Sequence, residues 1–170
     1  MNTFYSSARF FRSAISLLLL CIAQLVVITQ TQAADAVKVD SAWVRSTLAG
    51  QDVSAAYMTL TSQRDTQLIR VESDVTQSVE IHSMTMQNGV MKMRMLKELT
   101  LTAGKPYKLA PGGYHLMLFD LKKPLTAGDR VNFVLTFQSG SQQYKKTLSV
   151  NVKSDEDAAE DDHGHHHHHH

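Results

Sequence analysis

Between Val37 and Lys153 the apolar residues recur at every second position in short runs, and no stretch repeats them at helical spacing. Alternation of this kind is what a strand needs when one face is buried and the other meets water. The runs are Val37 to Thr47, Ala55 to Ser62, Thr66 to Ser73, Ser78 to Met86, Val90 to Leu96, a short one around Thr100, Tyr114 to Leu121, Arg130 to Ser139 and Gln143 to Val152. They are rich in Val, Thr, Tyr, Phe and Ile, and turn residues separate them: Ala49-Gly50, Asn88-Gly89, Ala103-Gly104, Pro111-Gly112-Gly113, Ala127-Gly128-Asp129 and Ser139-Gly140. Many short, evenly spaced strands predict an all-β domain over 37–153, a sandwich or small barrel of about eight or nine strands. The 43% hydrophobic content of the chain suffices for a packed core.

Residues 1–36 read differently. Arg9 and Arg12 form a basic start, Ser13 to Ile28 an apolar run, and Ala33-Ala34-Asp35-Ala36 a small-residue exit. That is the layout of a secretory signal cleaved near 33–36. The apolar run spans about 16 residues, short of the roughly 20 that cross a bilayer, so no stable membrane anchor is expected. Cys21, the only cysteine, lies inside the run and follows Leu20, whereas a lipidated cysteine follows a small residue. Export and cleavage would leave a chain without thiols, in an oxidising compartment that for a bacterium is the periplasm.

Loss of Arg9 and Arg12 takes the 17 basic residues to 15, against 16 acidic ones. A balance so near neutrality gives no bulk attraction for nucleic acid. Neither paired carboxylates at telling spacing nor a motif-bound serine or cysteine is present, so the sequence gives no sign of an enzyme.

The chemistry concentrates between Glu80 and Met117, which holds six of the seven methionines beyond the first: Met84, Met86, Met91, Met93, Met95 and Met117. Asn88-Gly89 predicts a two-residue type I′ hairpin turn. Closed in that way, the hairpin pairs Met86 with Met91, Met84 with Met93 and His82 with Met95, and puts all six side chains on one face. Ser83, Thr85, Lys92 and Arg94 take the other. In Tyr114-His115-Leu116-Met117, His115 and Met117 also share a face. Two imidazoles and two or more thioethers form a soft, neutral donor set that suits Cu(I) rather than calcium, magnesium or zinc. A blue-copper centre would need a cysteine thiolate. Methionine also fills cores, and taken singly each of these could be packing; Met58 and Met95 are assigned to the core.

The spacing of His82, Met93, His115 and Met117 is H-x10-M-x21-H-x-M. It resembles the signature of the PCu(A)C family of periplasmic copper chaperones. Four further stretches are similar to that family: Ala42-Trp43-Val44-Arg45, Ala55-Ala56-Tyr57-Met58-Thr59-Leu60, Asn88-Gly89-Val90-Met91-Lys92-Met93 and Pro111-Gly112-Gly113-Tyr114-His115-Leu116-Met117. One departure is Met95-Leu96-Lys97, where many relatives have proline. The resemblance implies a cupredoxin-like Greek-key β-sandwich and a Cu(I) site of His82, Met93, His115 and Met117, with Met84 an optional ligand. It also implies delivery of copper to the CuA centre of cytochrome c oxidase, in concert with a Sco-type protein. A copper buffer or resistance protein, and a sandwich that binds no metal, remain the alternatives.

After Lys153 the chain turns acidic and hydrophobe-poor, the composition of a disordered tail over 154–170. It ends in His163, His165, His166, His167, His168, His169 and His170. The run has the form of an affinity tag. As a native tail it would resemble the histidine- and methionine-rich extensions of certain PCu(A)C relatives, and its imidazoles and carboxylates would favour Cu(II), with Ni²⁺ or Zn²⁺ as further candidates.

Overall fold

The computed structural model describes residues 36–154 together with residue 156. Residues 1–35 and the terminal histidines, and with them the expectations of signal cleavage and a Cu(II)-binding tail, lie outside the described residues.

Ten strands follow in chain order: β1 (Val37–Arg45), β2 (Ser54–Ser62), β3 (Thr66–Ser73), β4 (Ser78–Gln87), β5 (Val90–Leu96), β6 (Leu99–Leu101), β7 (Pro106–Leu109), β8 (Tyr114–Phe119), β9 (Arg130–Ser139) and β10 (Gln142–Lys153). They form one barrel-like all-β sheet in the order β5-β4-β8-β7-β2-β1-β10-β9-β3-β6, with a further β8–β2 pairing. The fold is cupredoxin-like, as expected, with one strand more than the alternation showed. That strand is β7, four residues opened by Pro106 and too short to display a period. β7 and β8 lie end to end along β2, which pairs Met58 with Leu109 and Ala56 with Leu116. The segment looped out between them includes Ala110-Pro111-Gly112-Gly113, where Gly113 N–H donates to Ala110 O at 3.0 Å and Gly112 has φ +80°. Proline followed by a residue of positive φ is the form of a type II turn.

The core is built from the inward positions of these strands: Val44, Ala56, Met58, Leu60, Leu68, Ile81, Leu116, Leu118, Val131, Phe133, Leu135, Phe137, Val150 and Val152 are all buried. Met58, 1% exposed, is one of the two methionines that the sequence assigns to the core. Among the described residues no helix is long and apolar enough to cross a membrane.

β1 breaks its own alternation. Asp40 pairs with Thr59 and Trp43 with Tyr57, so β1 carries one residue more than β2 between these pairs. Ser41 takes up the extra length at φ +50°. A bulge of this kind inverts the facing of everything beyond it. Val37 and Val39 point inward before it, and Ala42 and Val44 after it. Trp43 and Arg45 are thereby turned to the outer face.

Candidate functional site

The Asn88-Gly89 turn closes as its sequence predicts. Asn88 has φ +52° and Gly89 φ +77°, the two positive values a type I′ turn requires. The register follows: Met86 opposes Met91, Met84 opposes Met93, and His82 opposes Met95. β4 then pairs on its other side with β8, bringing His82 opposite His115 and Glu80 opposite Met117. Because Ile81 and Leu116 point into the core, their immediate neighbours along β4 and β8 face outward. His82, Met84, Met93, His115 and Met117 therefore share the outer face of three adjacent strands, β5, β4 and β8.

Both histidines are buried on that face, His82 at 8% and His115 at 4% exposure. Their ring centroids are 5.8 Å apart, and Phe119 stands 6.1 Å from the His82 ring. On the β2 and β1 side the face continues through Ala55, opposite Met117, to Tyr57 and Trp43, whose rings lie 4.6 Å apart. The Arg45 guanidinium lies 5.6 Å from the Tyr57 ring centroid, within cation–π range.

The hydrogen bonds fix how each imidazole presents itself. His82 Nε2 donates to a Glu80 carboxylate oxygen at 2.7 Å. In the neutral ring that proton leaves Nδ1 with the lone pair, and this Nδ1 is a buried atom without a hydrogen-bond partner. His115 Nδ1 donates to the Gly113 carbonyl at 3.0 Å, which also accepts the Met84 N–H at 3.0 Å. The lone pair of His115 is thereby set on Nε2. Burial lowers the His115 pKa below 6.5, against the pull of the Gly113 hydrogen bond, and the nearby His82 and Arg45 charges lower it further. His115 is neutral at neutral pH, the state in which an imidazole can donate to a metal.

Among the described residues no three of His, Cys, Asp and Glu come together as a metal cluster. Beside the two imidazoles, this face carries the thioethers of the methionines. Met84 and Met117 are half-buried beside the histidines, while Met86, Met91, Met93 and Met95 are exposed, from 41% at Met91 to 63% at Met86. Assigning Met95 to the core was incorrect. It sits at 59% exposure directly across from His82, because β5 is the edge strand and its apolar face meets no second layer.

Two neighbours of the site escaped the sequence reading. Glu80 lies two positions before His82, and strand parity alone would have placed it on the same face. Arg45 was hidden because the β1 bulge reverses its facing, which alternation without coordinates does not reveal.

The ten-stranded β-domain places the protein in the class of small cupredoxin-like folds. Within that class the chain belongs to the LpqE-like family, whose sequence profile matches residues 37–152. It is 32% identical over 114 residues to the lipoprotein-named Lxx21020 of Leifsonia xyli subsp. xyli, an alignment covering 66% of this chain and 69% of that one. It is 34% identical over 119 residues to RP573 of Rickettsia prowazekii, covering 66% of this chain and 64% of the relative. In structure it resembles the copper-bound PCuAC domain from PmoF2, with TM-score 0.58 and 24% identity over 71% of this chain and 95% of that domain. It also resembles apo-DR1885 from Deinococcus radiodurans, with TM-score 0.55 and 29% identity over 75% of this chain and 84% of the other.

Proposed function

We propose that the protein is an exported copper chaperone that carries Cu(I) on the outer face of β4, β5 and β8. Its ligands in this reading are His82 through Nδ1, His115 through Nε2, and the Met93 and Met117 thioethers, with Met84 in reserve. The observation that carries the proposal is the unpartnered, buried Nδ1 of His82. A buried nitrogen lone pair left without a partner is costly unless something else binds it. Each histidine also gives its other ring N–H to an oxygen acceptor, the arrangement that orients metal-ligating imidazoles. One solved domain that shares the fold, that of PmoF2, is copper-bound.

None of the four donors carries a negative charge when it binds, so no thiolate clamps the ion against release. Cu(I) is the cargo: it leaves by stepwise ligand exchange with an acceptor, one thioether or imidazole giving way as each acceptor ligand arrives. The acceptor in this reading is the CuA centre of cytochrome c oxidase, with a Sco-type protein as the thiol partner. The terminal histidines, His163 and His165 to His170, would offer a separate Cu(II) site. Residues 1–36 would be an export leader, in keeping with the lipoprotein description of the family.

Cu(I) titration combined with X-ray absorption tests the site, because nitrogen and sulfur scatterers are counted separately. One equivalent bound by two nitrogens and two sulfurs is the expected result; oxygen-only scattering or no retained copper refutes it. In a deletion strain grown at low copper, lost oxidase activity supports delivery. Normal oxidase activity with copper sensitivity would instead define a buffer.

A further inference from the structure

The chain devotes more sulfur to this face than four-coordinate binding uses. Beyond Met93 and Met84 the hairpin carries one more opposed pair, Met86 and Met91, next to the Asn88-Gly89 turn. Directly opposed side chains have Cβ atoms about 4.5–5.5 Å apart, so two flexible thioethers there reach one ion between them. Both are exposed, neither belongs to the core, and Met91 lies on β5, the edge strand of the sheet. Packing therefore does not explain them. The next pair inward, Met84 and Met93, is one step of about 6.5–7 Å nearer His82. The hairpin's cations, Lys92 and Arg94, point to the opposite face and set no positive charge against an arriving cation.

We propose that Met86 and Met91 form a second, outer Cu(I) site at the hairpin tip. It captures the ion and passes it through Met84 and Met93 to the histidine pair. The proposal rests on the Cu(I)-carrying role argued above. At every step an arriving thioether sulfur or imidazole nitrogen replaces a departing donor; copper remains Cu(I), and no electron is exchanged. Two neutral sulfurs at a solvent-exposed position hold the ion more loosely than the inner site with its two added imidazoles, so the gradient runs inward.

The test uses the full chain with methyl-labelled methionines, titrated with Cu(I) and followed by NMR. The first equivalent should shift Met93 and Met117 and the two histidine rings, and the second should shift the Met86 and Met91 methyls. In the Met86→Leu/Met91→Leu variant the second response should vanish. Capture from a chromophoric Cu(I) chelator should slow about tenfold, with inner-site affinity unchanged. Met86 and Met91 methyls that stay silent through two equivalents, or a double variant that loads at the wild-type rate, would overturn the outer site. Silence of His82, His115 and Met117 would overturn the inner one, so the two failures are distinct.

Discussion

His82 on β4 and His115 on β8 are a directly opposed cross-strand pair with rings 5.8 Å apart, each committing one ring nitrogen to an oxygen acceptor. The sheet fixes their separation through backbone pairing on both sides of β4. The two remaining nitrogens are thus set by the fold and not by a ligand.

Replacing Met93 and Met117 together with isoleucine should lower Cu(I) affinity by roughly two orders of magnitude, about 2.7 kcal/mol of binding. The domain should keep its fold, because neither side chain belongs to the core cluster. A competition titration against a Cu(I) chelator, paired with circular dichroism, reads both quantities.

Glu80→Ala removes the acceptor that holds the His82 ring. Loss of such an orienting partner costs about 10- to 100-fold in metal affinity. Glu80→Gln, which keeps an acceptor oxygen, should recover most of that loss. Equal affinities for the Ala variant and the wild type would show that the carboxylate does not position the ring.

The apoprotein should lose stability as pH falls through the range just below 6.5. Burial depresses the folded-state pKa of His115, so the unfolded chain binds the proton more readily there. Stability consequently rises with pH across the window between the lowered folded value and 6.5, then levels. Melting curves from pH 5 to 8 should show this slope, and His115→Gln should flatten it.

Two methionines should respond in opposite ways to truncation. Met58→Ala opens a cavity in the core and should cost about 2–5 kcal/mol. Met95→Ala on the exposed edge should stay within about 0.5 kcal/mol. Urea melts of the two variants give the contrast, and similar losses in both would contradict the burial of one and the exposure of the other.

The mature protein should begin between Ala34 and Val37 and lack Cys21. Intact-mass measurement of the secreted protein checks this, and a lipid-modified chain beginning at Cys21 would be unmistakable by mass.

What the sequence made legible was local. Asn88-Gly89 dictates the hairpin turn, the turn dictates the register, and the register puts His82 and the methionines on one face. The pairing of β4 with β8 was not legible, because His82 and His115 are thirty-three positions apart and nothing in either strand names the other. The shared chemistry of the two segments hinted at convergence without fixing it. β7 was missed because four residues beginning with proline carry no period, and Met95 was misjudged because whether a strand lies at an edge is a property of the whole sheet. The roles of Arg45 and Trp43 were concealed by the β1 bulge.

That bulge makes the outer surface sensitive to chain length in a way that residue identity does not convey. Excising Ser41 would return β1 to strict alternation, sending Trp43 and Arg45 toward the interior or forcing Val37 and Val39 out into water. The surroundings of the histidine pair thus depend on an odd count of residues upstream, so single insertions or deletions in β1 should be far less tolerated than most substitutions there.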